Sequence, residues 1–87
     1  MRNECVEMVE GIFKSGIDRY WPVPEGRIGD QIRILASKGG YFLQANYEPK
    51  KYNNAEEVLT ALIAVEKDVY RDDSPLESVH QNLKMLS

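Results

Sequence analysis

The chain is short of the residues that cross-linking and most catalysis require. It holds one cysteine, Cys5, and one histidine, His80, among its 87 residues. An intramolecular disulfide cannot form, and a Cys/His metal cluster cannot be assembled. No apolar run approaches the ~18 residues expected of a membrane-spanning helix. Glutamates at positions 4, 7 and 10 interrupt the stretch after Arg2 where a signal peptide would need its apolar core. An unpaired cysteine without a leader fits a reducing compartment, so the expected setting is cytoplasmic, away from membranes. Four prolines and six glycines form no repeat, and 43% apolar residues suit a folded chain. The length predicts one domain over residues 1–87, with a core of thin margin.

What the chain does have is an uneven charge. The net charge is −3. Between residues 27 and 52, Arg27, Arg33, Lys38, Lys50 and Lys51 stand against Asp30 and Glu48, a local excess of +3. The flanks on both sides are acidic, at −2 over residues 1–26 and −4 over residues 53–87. A basic middle between acidic ends is the most informative feature of the composition.

Periodicity predicts an α+β fold in the order α-β-β-α-α. Cys5, Val9, Ile12 and Phe13 share one face of a helix over 4–15, which Asn3 is placed to cap and Gly16 to stop, with Ile17 folding back on Ile12. Residues 16–30 contain Pro22, Pro24, Gly26 and Gly29 and read as a connection. An antiparallel hairpin is predicted over 31–48, turning at Lys38-Gly39. Pairing across that turn sets Ala36 opposite Tyr41, Ile34 opposite Leu43 and Ile32 opposite Ala45. A slip by two keeps those faces, whereas an odd slip would invert them. Pro49 is expected to end the second strand. A central helix follows over 54–71, with Asn53 and Glu56 as a capping box, and Ser74-Pro75 opens a last helix over 75–86. The three helices are expected to cover one face of the hairpin.

No constellation of catalytic or metal-binding residues stands out. Cys5 and His80 lie at opposite ends of the chain, and Cys5 begins an apolar stripe, so a buried structural thiol is the plainer reading. Asp68, Asp72 and Asp73 form a compact acidic group, but acids before a helix start have an ordinary electrostatic role. Gly26-Arg27-Ile28-Gly29 matches a bare G-x-x-G in the wrong context for a phosphate clamp. The expectation is no catalytic residue, no cofactor and no metal.

Two binding readings remain, and the protein-interaction one leads. A two-stranded hairpin leaves its edges open, to be completed by a partner's strand or by a second copy in a homodimer. Tyr20, Trp21, Leu35 and Phe42 are the candidate interface residues, with Arg27, Arg33, Lys50 and Lys51 as charged surroundings. The alternative is nucleic acid, gripped by Arg33, Lys38, Lys50 and Lys51 with Phe42 and Tyr52 as stacking rings. A local excess of +3 gives only a modest grip on phosphates.

Overall fold

A computed structural model describes residues 1–24, 31–45 and 48–87. Helix α1 covers Arg2–Ser15, α2 Ala55–Ala64 and α3 Pro75–Leu86. Strands β1 (Arg19–Tyr20), β2 (Ile32–Ile34), β3 (Tyr41–Ala45) and β4 (Glu48–Tyr52) form one antiparallel sheet in the order β1-β2-β3-β4. The α+β class and the helix–strands–helices order are those expected. The single hairpin is replaced by a four-stranded meander.

The predicted register of the central pair is observed. Ile34 lies opposite Leu43 and Ile32 opposite Ala45. The third expected pair, Ala36 with Tyr41, is absent because Ala36–Lys38 wind into a 3₁₀ turn closed by Gly39 at φ 82°. The chain expected as one strand over 40–48 is shared between two, β3 ending at Ala45 and β4 returning beside it from Glu48. On the other side, Arg19 pairs with Ile34, and the Trp21 N–H donates to the Ile32 carbonyl at 2.8 Å.

Pro49 does not end a strand; it sits inside β4, opposite Gln44. The Leu35 N–H donates to the Phe42 carbonyl at 3.0 Å, so the backbone groups of Phe42 and Gln44 point to β2. Those of Tyr41, Leu43 and Ala45 then point to β4, where Glu48, Lys50 and Tyr52 face them. Pro49 and Lys51 turn their backbones to the free edge. The missing N–H of Pro49 therefore costs the sheet nothing.

Helix α3 has its expected bounds and α1 its expected end, while the starts of α1 and α2 move by two residues and one. Helix α1 starts at Arg2, with the Cys5 N–H on the Met1 carbonyl, so Asn3 is inside the helix rather than its cap. Gly16 stops it in the left-handed region at φ 70°, but Ile17 is 58% exposed and does not fold back on Ile12. The cap of α2 is Asn54, whose side chain accepts the Glu57 N–H at 2.9 Å, while the Glu57 carboxylate accepts the Asn53 N–H at 2.7 Å. The cap half of the box is thus present one residue later than expected, while the returning carboxylate takes the N–H before the cap. After Ala64 the helix widens into a π-helical turn, Val65–Val69, in which the Tyr70 N–H reaches the Val65 carbonyl at 3.1 Å.

The core lies between the helices and one face of the sheet. Cys5, Val9 and Ile12 of α1 meet Val58, Leu59 and Leu62 of α2, Val79 and Leu83 of α3, and Ile32, Ile34 and Leu43 of the sheet. Fully burying a Leu such as Leu59, Leu62 or Leu83 contributes about 1.5–3 kcal/mol each. Polar ties hold the layers together. The Tyr41 hydroxyl reaches both Glu10 carboxylate oxygens at 2.8 Å, and Arg19 Nε donates to the Leu86 carbonyl at 3.1 Å.

Candidate interaction surface

Alternation along the strands sorts the sheet residues into two sets. Ile32, Ile34, Tyr41, Leu43 and Tyr52 point at the helices. Tyr20, Arg33, Phe42, Gln44, Pro49 and Lys51 point the other way, and the register makes neighbours of them: Tyr20 with Arg33, Arg33 with Gln44, Gln44 with Pro49, Phe42 with Lys51. The described helices lie with the first set in the core, so among the described residues the second set forms an outer face that no helix covers.

The outer face is built from aromatic–cation pairs. The Arg33 guanidinium lies 5.4 Å from the centre of the Tyr20 ring, and the Lys38 ammonium 5.1 Å from that of Phe42. A Cβ at Gly40 would meet the Phe42 ring at 3.0 Å, so glycine there lets the ring lie against the backbone. Arg33 also pairs with Asp18 at 3.3 Å, and Asp18 accepts the Ser37 N–H at 2.9 Å. The hydrogen bonds from Ser37, with Arg33 alongside, hold the Asp18 carboxyl below its ordinary range.

The sequence-predicted interface residues do not all reach this surface. Trp21 is 0% exposed and Leu35 6% exposed, both inside this chain, so neither can serve as an interface anchor. Trp21 is drawn in because its indole N–H has a buried acceptor in Glu66, at 2.9 Å. Leu35 is buried where the strand gives way to the 3₁₀ turn and the alternation stops. Tyr20, 56% exposed, and Phe42, half-buried, stay on the outer face with Arg33 and Lys51. Lys50 lies on the opposite face, 5.4 Å from the Tyr52 ring. Arg27 lies outside the described residues. The predicted nucleic-acid set is split likewise: Arg33, Lys38, Phe42 and Lys51 are together, while Lys50 and Tyr52 face the helix side.

A second concavity lies on the helix side, where α2 covers β3 and β4 incompletely. This cleft of about 690 Å³ has Ile32, Leu43 and Ala45 as floor and Ala61, Ala64 and Val65 as wall. Glu48, Lys50 and Glu57 at its rim carry both signs of charge.

The fold brings His80 from the far end of the chain to Glu4, next to a sealed Cys5. The Cys5 thiol is fully buried, and desolvation, with Glu4 beside it, pushes its pKa up, away from a reactive thiolate. His80 meets Glu4 at 3.1 Å. Among the described residues no three His, Cys, Asp or Glu gather as metal ligands, and no helix is long and apolar enough to cross a membrane. Glu66 is one of two buried polar residues among those described, with His80, and the pattern reading passed over it. Its signal was its place after Leu59 and Leu62, on the buried stripe of the helix. Compared with protein-family models, curated proteins and solved structures, the chain matches none.

Proposed function

We propose that this protein is a non-catalytic interaction module that seats an acidic patch of a protein partner on the outer face of its sheet. The observation that carries the reading is the one-sided packing of a four-stranded sheet, in which no described helix covers Tyr20, Arg33, Phe42 and Lys51, beside Lys38. Tyr and Arg are the side chains most often found as interface anchors. The described charges around the face are the cations Arg33, Lys38 and Lys51 with Asp18 as the acid, against acidic helices behind. That polarity favours an acidic partner surface.

The free edges are poorer docking sites. Strand β1 has two residues, and β4 turns Pro49 and Lys51 outward, so its rim lacks one donor and carries charge. Nucleic acid is less favoured, because Arg33 and Lys38 already lie over the rings on which bases would stack.

The test is capture of partners from source-cell lysate by tagged protein, with and without nuclease, beside a Lys38→Glu/Lys51→Glu variant. A partner that survives nuclease and is lost with the variant supports the reading. Recovery abolished by nuclease would replace it with single-stranded nucleic acid binding. A partner retained by the variant would move the site off this face.

A further inference from the structure

The cleft between α2 and the β3–β4 pair lies on the helix side of the sheet, away from the outer face. Its volume, about 690 Å³, falls in the ~300–1,000 Å³ range of small-molecule sites. The strand register lays out its floor. Leu43 is opposite Lys50, Ala45 is opposite Glu48, and Ile32 is beside Ala45 on the next strand. An apolar strip therefore runs from the foot of Lys50 over Leu43 and Ala45 to Ile32, with Ala61, Ala64 and Val65 as the wall above it.

Among the described residues three charged side chains line this cleft, Glu48, Lys50 and Glu57. Glu57 is already engaged: its Oε2 accepts the Asn53 N–H at 2.7 Å and its Oε1 the Asn53 side-chain amide at 3.3 Å. Glu48, Lys50 and Tyr52 follow one another at ~7 Å steps on one face of β4. The Lys50 ammonium lies 5.4 Å from the centre of the Tyr52 ring, so it leans away from Glu48. It forms an ion pair with none of the described residues. One cation thus stands without a counter-ion at the end of an apolar strip.

We propose that this cleft binds a single-chain aliphatic carboxylate, its chain laid along Leu43, Ala45 and Ile32 and its carboxylate on the Lys50 ammonium. Removing the chain from water supplies the affinity, and Lys50 fixes which way round the molecule lies. One negative charge matches one ammonium, whereas a phosphate dianion would bring surplus charge up to Glu48 and Glu57. The site is separate from the outer face and does not depend on a protein partner there.

The experiment is a methyl-detected NMR titration of the whole chain with dodecanoate below its micelle concentration, beside dodecanol and dodecyltrimethylammonium. Dodecanoate should shift the Ile32, Leu43 and Val65 methyl signals saturably and bind tightest of the three. Lys50→Met keeps an apolar stem but removes the charge. It should weaken dodecanoate by about three- to tenfold and leave dodecanol unchanged. Ala64→Phe, at an exposed position of the wall, should fill the cleft and weaken all three. No saturable shift at the cleft methyls, equal or tighter binding of the cationic or neutral chain, or dodecanoate affinity unchanged in Lys50→Met would overturn the proposal.

Discussion

Trp21 Nε1–H and Glu66 Oε1 satisfy each other in a region closed to water, both residues at or below 1% exposure. A buried donor or acceptor that loses its partner keeps its desolvation penalty, about 1–3 kcal/mol. Trp21→Phe keeps an aromatic ring but removes the indole N–H, leaving Asn82 alone on that oxygen. The urea midpoint should fall by an amount corresponding to about 1–3 kcal/mol, with a further loss where the smaller ring leaves space. A variant as stable as the parent would show that the indole bond contributes nothing. Little of this pairing was legible beforehand. Trp21 stands before a proline in a polar stretch, which admits either a cover for the core or an exposed anchor. Only the partner decides between them, and that partner is 45 residues away.

Strand β4 is held by its neighbour rather than by its own residues. Glu48-Pro49-Lys50-Lys51-Tyr52 has low strand propensity, yet all five pair with β3. It was therefore invisible to pattern, as was β1, whose two residues are too few for a period. The β2–β3 register was legible for the opposite reason. Ile32, Ile34 and Leu43 must all enter the core, and an odd slip would send them to solvent. The helix faces were legible on the same grounds, while the π-helical turn, a change of hydrogen-bond spacing, leaves no such mark. Because the Pro49 nitrogen faces the free edge, Pro49→Ala should change folding stability by no more than about 0.5 kcal/mol in thermal unfolding. The same variant should associate more at high concentration by light scattering, since the edge regains a donor. A large loss of stability would mean that Pro49 shapes the strand itself.

At the scale of the whole molecule the fold is a two-sided charge arrangement. Acidic helices back a sheet whose outer face carries Tyr20, Arg33, Phe42, Lys51 and, at its end, Lys38. The candidate surface was half legible: of its residues, Tyr20, Arg33 and Phe42 do lie on the outer side of the sheet. Assigning Trp21 and Leu35 to the surface, and Lys50 to the same side, failed where the chain left regular alternation or gained an unforeseen strand. The most direct measurement is photo-crosslinking to the captured partner from two positions, Gln44 on the outer face and Thr60 at the helix-side cleft. The outer-face reading predicts a crosslinked partner from position 44 and none from position 60. Crosslinks from position 60 alone would contradict it and make the cleft between α2 and β4 the working surface.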